Sequence, residues 1–333
     1  MQTGGTGCDE SLTPKPFACR DFGLGLEAAM DLYLPIANLS VNALVIVALG
    51  GVVGLLSGMF GVGGGFLTTP LLIFYGITPT VAAASASTQV TGASVSGALA
   101  HFRRGGVDIH MGLVMVAGGI LGSLAGAALF RELQASGQID TVIGILYVVL
   151  LGGVGGLMAK ESMASIRAAR AGVPLPAGKR RHHPLIATLP FRWRFYRSGL
   201  YISPLAPLIL GFLTGVLTIL LGVGGGFIMV PAMIYLLGMS TQVVVGTSLF
   251  QIVFVTAAAT MVHATTTKSV DIVLAALLLI GSVTGAQFGA RLAQRLKPEY
   301  LRLLLALLVL AVALRMALGL GWRPDQIYTV QPW

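Results

Sequence analysis

Charge is what this sequence has least of. Of its 333 residues only 10% are Asp, Glu, Lys or Arg, while 55% are hydrophobic and the mean hydropathy is +0.87. Soluble domains carry about 25% charged residues, so the composition excludes a soluble fold and points to a chain with lipid as its solvent. Acidic residues are the scarcer sign, 12 against 21 Lys and Arg, a formal net charge of +9. In a soluble protein that excess would suggest nucleic acid. Here it lies between apolar runs, so it reads as topology: Lys and Arg stay on the cytoplasmic side. Cysteine is nearly absent too. Cys8 and Cys19 both lie in the N-terminal tail, which leaves none for a thiol relay or a Cys-based metal site within the spans. The tail pair is either a disulfide, if the tail is periplasmic, or two free thiols. No Lys or Arg falls at mid-depth in an apolar run, and no HExxH, GxSxG or Walker A pattern occurs. The expectation is a non-enzyme with no cofactor, no metal and no nucleic-acid partner. No secretory signal is expected either, since the first apolar run begins only near Leu34.

Apolar runs and glycine are what the chain has in abundance. Spans are expected near 36–59, 66–78, 80–101, 109–130 and 139–159, then near 204–221, 227–239, 241–263, 270–291 and 300–320. The implied segments are an N-terminal polar tail (1–35), a first transmembrane repeat (36–159), a basic linker (160–203), a second repeat (204–320) and a C-terminal tail (321–333). The two sets correspond residue by residue. FGVGGGFLTTP at 60–70 matches LGVGGGFIMVP at 221–231. After one residue of drift Gln89 matches Gln251 and His101 matches His263. Then VDI at 107–109 matches VDI at 270–272, and Gly118, Gly122 and Gly126 match Gly281, Gly285 and Gly289. The fold expected is an all-α polytopic membrane protein of about ten transmembrane segments. They form two five-segment repeats, inverted because an odd number of spans makes the second copy enter from the opposite side.

Charge fixes the orientation. The linker holds nine Lys and Arg against the single acid Glu161, which makes it cytoplasmic. Ten crossings then put Arg103, Arg104, Arg291, Arg295, Lys297 and Arg302 inside and both termini outside, in a bacterial inner membrane. The RRHHP run at 180–184 reads as a solvated face near anionic lipid rather than a metal site.

The runs 66–77 and 227–237 are too short to cross the hydrocarbon core as helices, and each follows a triple glycine. Short, glycine-interrupted segments at matched positions point to a transporter binding site. Glycine reaches positive φ freely, successive amides can form an anion nest, and the following helix turns its positive end to the same place. The substrate-binding candidates are therefore Gly61, Gly63, Gly64, Gly65, Gly222, Gly224, Gly225 and Gly226. Pro70 and Pro231 are expected in the first turn of each short helix, where a missing N–H costs little. Ser85 and Gln89 share one helix face, as do Thr247 and Gln251. They offer neutral donors for an oxyanion or, alternatively, hydrogen bonds between helices. His101 and His263 close matched spans and are candidates for gating or proton coupling. Asp108 and Asp271 are expected to cap the next helices. The four-spaced glycine stripes are expected to pack helices closely.

The runs GVGGGFLTTPLLIFYGITPTVAAASAS and GVGGGFIMVPAMIYLLGMSTQVVVGTS, with the histidines that follow, resemble the sulfite exporter TauE/SafE family, also called the toluene sulfonate uptake permease family. The resemblance covers nearly all of residues 36–320. It implies secondary transport of a small sulfur-containing anion, sulfite or an organosulfonate such as sulfoacetate, usually by export, with a proton or another ion as coupling species. The family motif falls on Gly61 to Gly65 with Pro70, and on Gly222 to Gly226 with Pro231. A passive anion channel and an uptake permease for a sulfonate or another small carboxylate or oxyanion remain alternatives, and the oligomeric state is open.

Overall fold

The computed structural model describes residues 31–37, 39–60, 63–103, 105–170, 193–195, 200–239, 241–293 and 298–321. Gly61, Cys8, Cys19 and the RRHHP run lie outside the described residues. Within them the first half supplies α1 (Ala43–Phe60), α2 (Gly65–Phe74), α3 (Pro79–Arg103), α4 (Ile109–Ala135) and α5 (Ile139–Arg170). The second half supplies α6 (Leu205–Leu221), α7 (Gly226–Tyr235), α8 (Thr241–Val262), α9 (Ile272–Ala293) and α10 (Pro298–Gly321). Five of these, α4, α5, α8, α9 and α10, contain stretches long and apolar enough to cross a membrane. Helices α1, α2 and α6 are apolar but shorter, and α3 has the length but carries the polar run SASTQVTGASVS. The molecule is a helical, multi-pass membrane protein.

Five local features depart from the sequence expectation. The first helix starts at Ala43, not near residue 36, because an antiparallel hairpin of β1 (Asp31–Leu34) and β2 (Leu39–Asn42) precedes it. Pro35 does not continue a helix, and the Asn42 side chain accepts the Leu44 N–H at 3.0 Å to start one. Helix α5 runs on to Arg170, well into the expected linker, since MAKESMASIRAAR is built of good helix formers. A second hairpin, β3 (Trp193–Phe195) with β4 (Leu200–Ile202), closes the linker. Pro70 and Pro231 sit one turn deeper than expected. Helices α2 and α7 begin right at Gly65 and Gly226, so each proline falls in the second turn and removes one internal hydrogen bond. Finally, α8 ends in a π-turn over His263–Thr267. Five residues lie between His101 and Val107, and six between His263 and Val270. A single inserted residue is the usual origin of a π-turn.

The two halves pack by exchange. The fourth helix of each lies against the first helix of the other, α4 on α6 and α9 on α1, while the third and fifth helices pair with their own counterparts, α3 with α8 and α5 with α10. The glycine stripes make the exchanged contacts backbone to backbone. A Cβ at Gly122 would lie 2.0 Å from the Phe212 carbonyl oxygen, and one at Gly285 would lie 2.1 Å from that of Gly51. In lipid, where apolar surface gains nothing from leaving solvent, such close approach and its dispersion contacts hold helices together. Hydroxyls add to it. Ser85 Oγ accepts the Asp271 N–H at 3.2 Å, and the matched Thr247 Oγ1 accepts the Asp108 N–H at 3.1 Å. Each aspartate then caps its helix, Asp108 to Met111 N and Asp271 to Val273 N and Leu274 N.

Candidate functional site

The glycine clusters break the helices as their composition suggests. Gly63 and Gly64 have φ of 86° and 71°, and Gly222, Gly224 and Gly225 have φ of 69°, 71° and 74°. A side chain there would be strained. The two elbows meet: Phe66 and Phe227, matched residues at the starts of α2 and α7, stack with ring centroids 4.6 Å apart and planes 12° from parallel. Such a pair contributes about 0.5–1.5 kcal/mol beyond its burial. The wall behind the second glycine of each positive-φ pair is built from matched residues. Gly64 faces Ser57 and Val53, and Gly225 faces their counterparts Thr218 and Thr214.

The elbows differ in what they open onto. Gly63 and Gly64 line a cavity of about 390 Å³, together with Ser57, Gln89, Ser94 and His101 from the first half and Leu249 and Gln287 from the second. The cavity runs from His101 near the end of α3 inward to Gln89, about 18 Å along the helix. Among the described residues no Lys, Arg, Asp or Glu lines it, so the polarity they give it is that of neutral groups. Thr68 donates to Gln89 Oε1 at 2.9 Å, which orients the amide and leaves its Nε2 as a donor. Ser94 is 2% exposed, and its Oγ has no partner among the described residues. Not all elbow amides are free for a ligand, since Gly65 N–H closes on Gly63 O at 2.8 Å and Leu67 N–H on Gly64 O at 3.2 Å.

The second elbow is closed. A Cβ at Gly222 would lie 2.2 Å from the Ala83 carbonyl oxygen. The carbonyl of Leu221 accepts from Thr69 Oγ1 at 3.0 Å and Tyr147 Oη at 2.5 Å, both on first-half helices. Gln251 is fully buried. Its Nε2 donates to Thr214 at 3.1 Å and its Oε1 has no partner among the described residues. His263 is fully buried beneath Phe130, 5.2 Å away edge to face, with Nε2 3.1 Å from the Ile219 carbonyl oxygen and Nδ1 3.3 Å from Thr267 Oγ1.

Of the sequence candidates, the structure brings Gly63, Gly64, Gln89 and His101 together around one cavity. Gly65 and Gly226 are the first residues of the short helices. Ser85 and Thr247 do not reach the cavity and serve the aspartate caps instead. Ser57, Ser94 and Gln287 were missed. Ser57 and Ser94 follow from the repeat, because they match Thr218 and Thr256. Gln287 lies inside the glycine stripe GSVTGAQFG, where the packing signal masks it. Among the described residues no three His, Cys, Asp or Glu side chains converge as a metal site.

Comparison with known proteins gives a consistent result. The family model described as "Sulfite exporter TauE/SafE" matches residues 46–316. The chain is 26% identical over 276 residues to "Probable membrane transporter protein YjnA" of Bacillus subtilis (strain 168), covering 81% of this chain and 98% of that protein. It is 26% identical over 281 residues to "Probable membrane transporter protein YunE" of the same organism, covering 82% and 96%. A "Probable membrane transporter protein" of Xylella fastidiosa (strain Temecula1 / ATCC 700964) is 27% identical over 277 residues, covering 82% and 94%. No solved structure matches the chain.

Proposed function

The chain belongs to the sulfite exporter TauE/SafE family, and from that premise we propose that it is a secondary transporter of a small sulfur-containing anion. The substrate is sulfite or an organosulfonate such as sulfoacetate, exported across the bacterial inner membrane by alternating access. Ten crossings form two inverted repeats, with the linker in the cytoplasm and both termini outside. The observation that carries the reading is the inequality of two equivalent elbows. One lines a cavity at the helix ends bearing Arg103 and Arg291, which the positive-inside rule makes cytoplasmic. The other is packed shut. Rocking one repeat against the other exchanges their roles. In the state seen, the substrate's oxyanion meets Gln89 Nε2, the hydroxyls of Ser57 and Ser94, and the elbow backbone. His101 faces the cavity and His263 is shut away, so each is placed to take a coupling proton in one state only.

The test is flux of sulfite, sulfoacetate and taurine in proteoliposomes, with and without a pH gradient. Saturable flux of a sulfur anion that responds to the gradient and disappears in Gly64→Val is expected. Linear, gradient-independent flux would identify a passive channel, and no flux of any sulfur anion would overturn the substrate class.

A further inference from the structure

A second cleft, of about 300 Å³, lies at the opposite end of the bundle between the C-terminal ends of α2 and α10 and the start of α5. Pro79 lines this cleft and His101 lines the first cavity. They are separated by about 33 Å of α3. The walls are apolar, from Ile73, Phe74, Met316 and Leu320, and two opposite charges face into the same space, Asp140 and Arg315. Arg315 falls inside the apolar stretch Leu303–Gly321, about 9 Å short of the end of α10. It is on the outer surface of the bundle, and its guanidinium lies 5.2 Å from the centre of the Phe74 ring. Among the described residues neither Arg315 nor Asp140 has an ion pair or hydrogen bond.

Asp140 faces the same cleft but forms no ion pair with Arg315, so the guanidinium at that depth still lacks an anion partner, and lipid phosphate is one the surroundings offer. A phosphate alone would leave the carboxylate on the facing wall repelling it. A headgroup that carries a cationic amine a few bonds from its phosphate answers both charges at once. We infer that this cleft is a lipid-binding site for a zwitterionic, amine-bearing phospholipid. Arg315 holds the phosphate, Asp140 accepts from the ammonium, and Ile73, Met316 and Leu320 cover the upper acyl chain. An ethanolamine headgroup fits better than choline, whose methylated nitrogen has no N–H to give the carboxylate.

Native mass spectrometry of the full chain, titrated in detergent with dioleoyl phosphatidylethanolamine, phosphatidylcholine or phosphatidylglycerol, tests this. The wild type should retain one phosphatidylethanolamine in preference to both other lipids. Arg315→Gln should retain it about tenfold less, the loss of one charge-assisted contact. Asp140→Asn should keep lipid but lose the preference over phosphatidylglycerol. Both side chains are exposed, so circular dichroism and melting of the lipid-free variants should match the wild type. Equal retention of all three lipids by the wild type, or unchanged retention in Arg315→Gln, would overturn the site. Displacement of the lipid by equimolar free phosphoethanolamine or taurine would also overturn it, by assigning the cleft to a soluble zwitterion.

Discussion

The two halves of this molecule share a frame and differ in what the frame encloses. In both, a triple glycine turns the chain at positive φ, a ten-residue helix follows, and an aspartate caps the fourth helix with help from a hydroxyl of the other half. Gly63 of the first elbow, however, faces open space. Among the described residues a Cβ on Gly63 would meet only Ile252 Cδ1 at 3.5 Å and Ser94 Oγ at 3.9 Å. The second is filled: a Cβ on Gly224 would lie 2.7 Å from Val90 Cγ1 and 3.1 Å from Thr256 Cγ2. The histidines follow suit. His263 is sealed beneath Phe130, while His101 lines the cavity, and the residue matched to Phe130 is Ala293. Equivalent backbones in unequal surroundings are consistent with the alternating-access reading proposed above. The lesson is that the asymmetry belongs to side-chain packing and not to the turn geometry.

The largest effect is expected at these glycines. Ala at either position strains a positive φ by about 1–2 kcal/mol. At Gly224 the collision with buried, β-branched Val90 adds about 1–3 kcal/mol of overpacking. Gly224→Ala should therefore lower the apparent melting temperature in detergent far more than Gly63→Ala. Equal losses would mean that the cavity beside Gly63 is as closed in the detergent-solubilised protein as the space beside Gly224.

Accessibility sharpens it next. Ser57 is half-buried and lines the cavity, whereas its counterpart Thr218 is fully buried and bonded to the Thr214 carbonyl at 2.7 Å. In a background with Cys8 and Cys19 replaced by Ser, Ser57→Cys should react with a small charged maleimide faster than Thr218→Cys. The ratio should be about 10–1000, the inverse of a minor-state population of 0.1–10%. Excess transported anion that stabilises the opposite state should narrow or invert it. A ratio near one that no anion changes would remove the two-state reading.

Much of this was legible in the residues, for identifiable reasons. The elbows could be read because only glycine tolerates the φ they need, and the repeat could be read because GVGGGF, Gln, His and VDI recur in order. Even the π-turn is written as one extra residue between His263 and Val270. What the sequence did not carry was the state. Nothing in the letters distinguishes Gly63 from Gly224, because openness depends on how α1, α3, α8 and α9 sit against one another. The roles of Ser85 and Thr247 were hidden likewise. A hydroxyl four residues from a glutamine shares its helix face, but which backbone N–H crosses to meet it is a tertiary fact.

The smallest expected effect tests whether the frame itself is symmetric. Asp108→Ala and Asp271→Ala each remove an N-terminal cap, a loss of about 1 kcal/mol. Each also leaves the cross-half hydroxyl bond in place, since that bond uses the backbone N–H. Asp271 additionally accepts the Ile36 N–H, but at 3.4 Å and only partly buried, a contact too long to add much. The two variants should therefore lower stability by amounts within about 1 kcal/mol of each other, the worth of the extra Val273 N–H contact that Asp271 makes, read as similar shifts in thermal unfolding. Similar shifts would leave the elbow surroundings as the source of the inequality. A second-half variant that unfolds while its first-half partner stands would show the frame itself to be lopsided, and the closed elbow would then be a fixed structural element instead of the mirror of the open one.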